Sequence, residues 1–307
     1  MLNKSFFFQQ GRQRPRGVKF RVNTSLVATG TSDANTYRIQ FSSNFSGQII
    51  WGDGVVEVKT GFTQIVSHIY AVAGIYDIEI IPNPGSIAHI RLRDDFSKLL
   101  KFIDFGTYCR LDQYCFQNCT NADLSEVLGI PLLEGELLGV FQNFKGNPIV
   151  NNSDLWDFGK ATNIFSFFNN STINSPFNIK STTLTNASYF LFAANNFTSQ
   201  INLNAPNLTT FTNAVQNNTS FNQDISGWII NKNANITSFM QGKTAANFSA
   251  ENYDKALTMF KNTFVGTGRT ETIKSANFGT IKRTAVGTTM RDALVADGWT
   301  WTDGGQI

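Results

Sequence analysis

The sequence predicts a mainly β protein of 307 residues in three parts: a small β-sandwich, a repeat solenoid and a small α/β cap. Three observations predict this fold class. Short segments that alternate apolar and polar residues fill positions 20–82. Phrases rich in Phe and Asn then recur every 23 to 28 residues. Helical spacing of apolar residues follows after residue 250.

The chain opens with a basic N-terminal arm, residues 1–19, which contains no acidic side chain. Gly11, Pro15 and Gly17 disfavour regular structure in the arm. It is either a disordered tail or a segment that orders on a partner. In the second case these side chains would anchor the chain to an assembly: Phe6, Phe7, Phe8, Arg12, Arg14 and Arg16.

Six segments between residues 20 and 82 have the pattern of short strands: FRVNT, TYRIQF, QIIWGDG, VVEVKT, TQIVSHIY and YDIEIIP. So many short strands in so short a stretch predict a small β-sandwich. In the turn at residues 51–54, Asp53 can accept hydrogen bonds from the turn's own amides. Asp53 could instead belong to an ion site or act as an acid, and His68 could be a ligand or a base.

Two motifs in this region together resemble the polycystic-kidney-disease (PKD) type of immunoglobulin-like domain: the WGDG turn at 51–54 and HIYAVAGIYDIEI at 68–80. The resemblance covers residues 20–82. It implies an Ig-like sandwich that serves as a spacer or binding module and is rarely catalytic. It also implies structural roles for Trp51, Gly52, Asp53, Gly54, His68, Tyr70, Gly74 and Tyr76.

A second kind of pattern fills residues 83–250, where similar units begin at Leu133, Ala161, Leu184, Leu208 and Ile236. Each unit places apolar residues at the spacing of a packed face and then Asn, which tolerates the left-handed backbone of sharp corners. The intervals match leucine-rich-repeat-like solenoids, in which stacked units share one core. The predicted core includes Phe116, Phe141, Phe168, Leu208, Phe211, Phe221, Ile225 and Trp228.

The phrases CFQNC at 115–119 and TSFNQDISGW at 219–228 resemble the BspA-like leucine-rich-repeat family and its relatives among surface-protein repeats. This resemblance implies a solenoid over residues 83–250. In the second phrase we expect Asn217 and Asn218 to turn a corner, and Gln223 and Asp224 to face solvent. A PKD-like domain followed by such repeats is similar to surface proteins of Bacteroidetes-type bacteria and their phages.

Residues 251–307 are predicted to cap the last apolar face of the array. Apolar spacing predicts a helix on Tyr253, Leu257 and Phe260 and a second helix that ends at Gly298. The second helix is expected to bury Val286, Met290, Leu294 and Val295. Residues 271–282 are predicted to form a strand pair or a further repeat, and a last strand would carry Trp299 and Trp301. The ending also resembles the C-termini of the repeat family.

Charge and cysteine content limit the partners and cofactors. A net charge of +3 with 15% charged residues gives no strong nucleic-acid signature, and no apolar run reaches membrane-spanning length. We therefore expect neither nucleic acid nor membrane as a partner. Cys109, Cys115 and Cys119 are expected to be buried and reduced, because their spacing suits no zinc site. No cofactor is expected.

Familiar catalytic motifs are missing from the sequence, which predicts a protein that is not an enzyme. Asp154 and Asp157 form a spaced carboxylate pair of the kind that glycosidases use, although exposed positions on a repeat also explain them. Trp156 and Trp228 are weak candidates for ligand contact, and burial in the core is the preferred interpretation of both.

The expected function is that of a structural or adhesive virion protein, a tail or head appendage made in the host cytoplasm without an export signal. The arm would dock on other virion proteins, and the solenoid would project toward a host-surface protein or glycan. A homo-oligomer or a place in a symmetric assembly is expected. The alternatives are a bacterial cell-surface adhesin and, third, a polysaccharide-degrading tail protein.

Overall fold

The computed structural model describes residues 16–307, which fold mainly as β-structure. Within this range the chain forms sixteen strands in several sheets, none of them closed, and two α-helices. The first nine strands are β1 (Val18–Asn23), β2 (Thr36–Phe41), β3 (Phe45–Ile50), β4 (Val56–Phe62), β5 (Ile65–Ile69), β6 (Ile75–Pro82), β7 (Ala88–Arg91), β8 (Leu99–Asp104) and β9 (Cys109–Leu111).

These nine strands form two sheets, one with the order β4-β3-β6-β1-β8 and one with the order β5-β2-β7-β9. Alternation places every second side chain on the inner face, so Val18, Phe20 and Val22 of β1 are fully buried. The rings of Phe20 in β1 and Tyr37 in β2 lie 6.1 Å apart, which shows that the inner faces of the two sheets contact each other.

The two sheets continue beyond residue 82, where the sequence predicted a domain boundary. Strand β8 pairs antiparallel with β1, opposing Phe102 to Phe20, and β7 pairs antiparallel with β2. The boundary therefore falls inside the sheets, because β7 and β8 complete them. Strand β9 pairs parallel with β7, and Arg110 of β9 bridges in parallel to Leu132. Parallel pairing thus begins within the second sheet.

Later segments pair in parallel with their successors in the chain. The strands are β10 (Glu134–Glu136), β11 (Lys160–Asn163), β12 (Phe177–Lys180), β13 (Ile201–Ala205) and β14 (Ile229–Ile230). Strand β10 pairs with β11, and β12, β13 and β14 form a three-stranded sheet. Single bridges connect Asn163, Asn186, Thr210 and Asn235 in the same sense. We refer to residues 109–247, which stack in this way, as the parallel array.

Each turn of the parallel array contains two residues with left-handed backbone, four positions apart. The pairs are Tyr114 and Asn118, Gly139 and Asn143, Ser166 and Asn170, Tyr189 and Ala193, Asn213 and Asn217, and Ser238 and Gly242. Between the two positions, backbone N–H groups donate to the next turn: Phe116 to Val140, Phe141 to Phe167, and Phe168 to Phe190, each at 2.9 Å. The backbone N–H groups at the corners thus donate to carbonyls of the neighbouring turn rather than to water.

Phe side chains form the centre of the parallel array. The rings of Phe116 and Phe141 stack at 5.3 Å, those of Phe141 and Phe168 stack at 5.8 Å, and Phe190 meets Phe168 edge-on at 5.3 Å. Buried residues from Val18 to Trp301 belong to one continuous hydrophobic cluster. The sheets, the parallel array and the C-terminal segment therefore share a single core.

The C-terminal segment contains α1 (Ala250–Phe264), β15 (Ser275–Asn277), α2 (Ala285–Ala296) and β16 (Thr300–Thr302). Ser249 and Thr284 cap the two helices with their side-chain oxygens. Helix α1 buries Tyr253, Leu257 and Phe260, as expected, and β15 pairs in parallel with β16. Trp299 and Trp301 are buried, and Gly298, at φ +93°, follows the end of α2.

The predicted apolar face of α2 is correct for Leu294, which is buried, and for Met290, which packs against the core, but wrong for Val286 and Val295. Val286 and Val295 are 63% and 38% exposed, whereas Gly287 and Leu294 are buried. The buried stripe is shifted because α2 approaches α1 through Gly287, where a Cβ atom would collide with the carboxylate of Asp254. A helix that packs through a glycine turns its neighbouring valine outward.

Candidate binding surfaces

The turn between β3 and β4 is held by hydrogen bonds to the carboxylate of Asp53. Its Oδ1 accepts the N–H of Val55 at 3.0 Å, and its Oδ2 lies 2.7 Å from Nε2 of His68 in β5. Gly52 has φ +86°, and a Cβ atom there would lie 2.6 Å from the carbonyl oxygen of Asp77. Only glycine fits that position, because both the backbone angle and the close approach exclude a side chain.

Aromatic rings pack in series behind this turn. Trp51 stacks on His68 at 4.8 Å, Tyr70 meets His68 edge-on at 4.5 Å, and Tyr76 stacks on Tyr70 at 3.8 Å. The hydroxyl of Tyr70 donates to the carbonyl of Trp51 at 3.0 Å, and that of Tyr76 donates to the carbonyl of Val72 at 2.6 Å. The structure thus brings the predicted motif residues together, with their polar groups directed at one another.

Gly74 and Gly54 complete the motif. The N–H of Gly74 donates to Oγ1 of Thr24 at 2.9 Å, and its carbonyl accepts the N–H of Thr24 at 2.8 Å. Gly54, at φ +97°, supplies a second left-handed position in the turn.

Burial raises the pKa of Asp53, but the hydrogen bonds that its carboxylate accepts, above all those from His68 and Val55, and its electrostatic interaction with His68 lower it. The net pKa of Asp53 is lowered. A carboxyl group with a lowered pKa holds hydrogen bonds as an anion and is a poor proton donor near neutral pH. The arrangement therefore suits a role in stabilising the turn better than acid catalysis.

Arg16 is the one predicted anchor residue within the described part of the chain; Phe6, Phe7, Phe8, Arg12 and Arg14 lie outside it. The backbone of Arg16 exchanges two hydrogen bonds of 3.0 Å with Thr107. Its guanidinium group lies 3.3 Å from the carboxylate of Asp104 and remains 57% exposed. Arg16 is therefore fixed to the loop between β8 and β9.

A groove of about 650 Å³ opens beside Arg16 on the outer face of the five-stranded sheet. We call it the N-terminal groove. Its floor and walls are largely apolar, and Arg16, Lys19, Glu79 and Asp104 supply the charged groups around it. The apolar lining consists of Ile81, Pro82, Pro84, Ile103 and Leu128.

The outer face of β12, β13 and β14 carries a row of polar side chains that the sequence analysis missed. We call it the polar ladder: Asn178, Lys180, Asn202 and Asn204, with the apolar side chain of Ile229 beside them. The amide of Asn202 donates to that of Asn178 at 2.7 Å, and Asn178 donates to the carbonyl of Asp154 at 2.8 Å. A groove of about 340 Å³ runs along this face. The sequence does contain a signal for this face. Buried and exposed residues alternate in β12 and in β13, and the exposed Asn178 and Asn202 are 24 residues apart.

All eight predicted core residues of the repeats are buried: Phe116, Phe141, Phe168, Leu208, Phe211, Phe221, Ile225 and Trp228. The assignment of Trp156 and Trp228 to ligand contact is wrong, because they are only 2% and 5% exposed. Trp156 packs edge-on against Phe177 at 5.6 Å, and Nε1 of Trp228 donates to the carbonyl of Ile201 at 2.9 Å. Neither indole is available to a ligand.

In the segment 217–228 the structure corrects one predicted orientation. Asn217 has the left-handed backbone of a corner, and the buried amide of Asn218 accepts the N–H groups of Ser220 and Phe221. Asp224 is exposed, as expected, but Gln223 is buried. The Gln223 amide donates to backbone carbonyls of the preceding turn, which would otherwise lack a donor.

The carboxylate pair and the three cysteines singled out in the sequence lie in different environments, the carboxylates at the surface and the thiols in the core. Asp154 and Asp157 are both exposed, and Oδ1 of Asp157 accepts the N–H of Gly159 at 2.8 Å. Cys109, Cys115 and Cys119 are buried free thiols, and burial raises the pKa of each. Buried thiols with raised pKa values are poor nucleophiles.

A buried lysine, Lys243, is a further feature that sequence reasoning missed. It is 1% exposed, and its ammonium donates to the backbone carbonyl of Asn218 and lies 5.6 Å from the centre of the Phe248 ring. Burial lowers the pKa of Lys243 to about 7. The turns of the parallel array therefore enclose a group that changes charge near neutral pH.

Across residues 16–307, no group of three or more His, Cys, Asp or Glu side chains is arranged to hold a metal ion. Neither of the two helices in this range has the length and apolar character needed to cross a bilayer. Comparison of the chain with protein-family models, with curated proteins and with solved structures finds no match.

Proposed function

We propose that this chain is a non-enzymatic structural or adhesive protein of a phage virion, serving as a tail or head appendage. In this proposal strands β1 to β8 build a PKD-type Ig-like domain, the parallel array is a BspA-like leucine-rich-repeat solenoid, and residues 251–307 cap it. The arm docks on other virion proteins, and the solenoid projects outward.

One observation carries the proposal: the order in which the turns stack. Arg16 is fixed beside β8, whose Lys101 bridges to Asp123 at the start of the parallel array. The later turns follow in sequence, and Phe239 of the last of them contacts Phe278 in the C-terminal segment at 5.8 Å. Stacking therefore separates the arm from the C-terminal segment by the full height of the parallel array.

This separation suits an appendage. Neighbouring strands in a sheet lie about 4.8 Å apart, so each turn adds roughly that distance between the anchored end and the free end. Because the turns share one core, the free end is held at a fixed distance from its attachment. A protein that only had to bind a small molecule would not need this length.

The polar ladder is the surface that we assign to the host. Its amides and the Lys180 ammonium offer hydrogen-bond donors and acceptors at regular spacing, beside the half-exposed side chain of Ile229. Hydroxyl-rich glycans present donors and acceptors that can pair with such groups. We therefore propose a host-surface glycan as the ligand of this face.

The test is the location of the protein. Mass spectrometry of purified particles from an infected culture of the host is expected to find the chain. Particles from a phage whose copy lacks residues 1–15 are expected to lose it, whereas a Leu155→Ala copy is expected to be retained, since Leu155 is exposed and remote from the arm. Detection on the envelope of uninfected cells, with none in particles, would overturn the proposal in favour of a bacterial adhesin.

A further inference from the structure

We propose that the N-terminal groove is the binding site for residues Phe6–Phe8 of a second copy of this chain. The inference rests on the proposed function and deepens it, because it adds a second copy of this chain to the virion proteins that the arm contacts. It follows from the chemistry of the groove, from the point at which the arm leaves the sheet, and from the length of the arm.

The groove has the size and lining of a peptide-binding site. Its volume of about 650 Å³ lies within the range of ordinary ligand pockets, roughly 300–1,000 Å³. Leu128 at its edge is 52% exposed, although it belongs to the bridge that joins Asp104 to the parallel array. An apolar side chain left half-exposed in a concave surface is a typical contact for an apolar anchor.

The groove matches the arm in apolar character. Three consecutive Phe residues are the one apolar cluster of residues 3–15, and aromatic anchors dominate the energetics of interfaces. Lys4, Arg12 and Arg14 surround this cluster without an acidic residue. The groove carries the carboxylates of Glu79 and Asp104 together with the cations of Arg16 and Lys19, so its charges balance and its apolar lining provides the match to the arm.

The length of the arm favours a second copy over the arm's own groove. Arg16 is fixed at the rim by Thr107 and Asp104, and eight residues lead from it to Phe8. An extended chain of eight residues spans about 27 Å. To reach its own groove, which begins at Arg16, the arm would have to reverse direction. To reach the groove of a neighbouring copy, it can run straight.

The experiment measures self-association of the full-length chain by sedimentation velocity over a range of concentrations. Two variants remove one half of the contact each: an arm variant with Phe6→Ser, Phe7→Ser and Phe8→Ser, and a groove variant with Leu128→Glu. Each is expected to weaken association by about tenfold or more, because a charge or hydroxyl cannot replace a buried apolar anchor. Ile149→Glu is the matched control, since Ile149 is 46% exposed and lies outside the groove.

Mixing the two variants tests whether the contact joins separate chains. The arm variant keeps an intact groove, and the groove variant keeps an intact arm. An equimolar mixture is therefore expected to form mixed dimers at concentrations where each variant alone is monomeric. If the mixture stays monomeric while the wild-type chain associates, the proposal is overturned. Wild-type chain that remains monomeric throughout overturns it as well.

A second groove variant controls for the possibility that Leu128→Glu misfolds. Pro84→Glu introduces a charge at an exposed position of the groove and is expected to weaken association as Leu128→Glu does. Thermal unfolding of both variants checks that the fold is retained. The virion role and the contact between copies can fail independently. Self-association is measured on the purified chain, whereas the virion role is tested by the presence of the chain in particles.

Discussion

The imidazole Nε2 of His68 lies 2.7 Å from Oδ2 of Asp53 and so joins β5 to the turn that follows β3. We expect Asp53→Ala to reduce the free energy of unfolding by about 1–3 kcal/mol, because two hydrogen bonds to a charged acceptor are lost. Urea unfolding at pH 7 measures the effect. Asp292→Ala is the control, since the Asp292 side chain is 60% exposed.

The same pair predicts a dependence on pH. The pKa of Asp53 is lowered in the folded state, so its contribution to stability is present above the ordinary carboxyl pKa of about 3.9. That contribution is lost as the pH falls through the lowered value. The difference between wild type and Asp53→Ala should therefore shrink on acidification below pH 4. A difference that grows in acid would contradict this assignment.

Phe141 lies at the centre of the aromatic stack, between Phe116 and Phe168. Phe141→Ala is expected to lower the free energy of unfolding by about 3–5 kcal/mol, because the neighbouring turns cannot close around the cavity. Leu155→Ala, at a 59% exposed position, is expected to change it by less than about 0.5 kcal/mol. Denaturant titration followed by circular dichroism distinguishes the two. Equal effects would show that the stack does not hold the parallel array together.

Gly242 and Gly227 form a matched pair of glycines. Gly242 has φ +86°, and a Cβ atom there would collide with the side-chain amide of Asn217, whereas the space around Gly227 is open and its φ is not in the left-handed region. We expect Gly242→Ala to cost at least about 1 kcal/mol in unfolding free energy. Gly227→Ala should be nearly neutral. Thermal unfolding measures both, and a harmless Gly242→Ala would exclude a left-handed corner there.

Lys243 predicts the opposite pH dependence. An unfolded lysine titrates near 10.4, whereas burial lowers the pKa of Lys243 to about 7. Between about pH 7 and 10 the unfolded chain binds more protons, so this residue makes stability rise with pH, and below pH 7 the full cost of the buried cation is present. Lys243→Met should thus be more stable than wild type at pH 6, on the order of a few kcal/mol.

The stabilising effect of Lys243→Met should disappear toward pH 10. There the neutral amine still donates to the carbonyl of Asn218, and the variant loses that hydrogen bond, about 1 kcal/mol. Lys282→Met, at an exposed position, is the control and should show no such trend. Urea unfolding from pH 6 to pH 10 gives the comparison. A constant difference across this range would mean that Lys243 does not titrate within it.

The polar ladder predicts glycan binding. Lys180→Ala and Asn204→Ala are expected to weaken binding of purified chain to host-surface polysaccharide by about tenfold, since each removes a hydrogen-bonding group worth ~1.4 kcal/mol from one face. Lys282→Ala, on the C-terminal segment, should leave binding unchanged. Isothermal titration calorimetry with the polysaccharide provides the measurement. Unaltered binding by both ladder variants would place the ligand on another face.

Sequence reasoning located β1 to β6 because alternation and turn residues mark half-buried antiparallel strands. It missed that β7 and β8 complete the same sheets. The segment SIAHIRL carries alternation as well, but its partner β2 lies some fifty positions earlier, and one sequence does not show which distant strand it joins.

In the repeats, the spacing of apolar residues correctly predicted which Phe side chains are buried. The polar character of a residue, by contrast, did not predict its exposure. Gln223 was predicted to face solvent because an isolated amide belongs in water, but here it satisfies backbone carbonyls of the preceding turn. The left-handed corners at Tyr189 and Ala193 were equally hidden, since those residue types carry no preference for that backbone. The stacking of successive turns requires the left-handed backbone at these positions, and the sequence of a single unit does not show how turns stack. The polar ladder likewise arises from stacking, because it exists only where β12 and β13 lie side by side.

The position of β1 has a mechanical consequence. It is flanked along its length by β6 and β8, antiparallel to both, and its first residues lead directly to the arm. A pull along the strand, applied through residue 16, loads the hydrogen bonds on both sides in shear, all at once. An edge strand such as β4, which is paired on one side only, would resist the same pull with a single set of hydrogen bonds. The chain is thus built so that tension on its attachment is shared across the whole sheet.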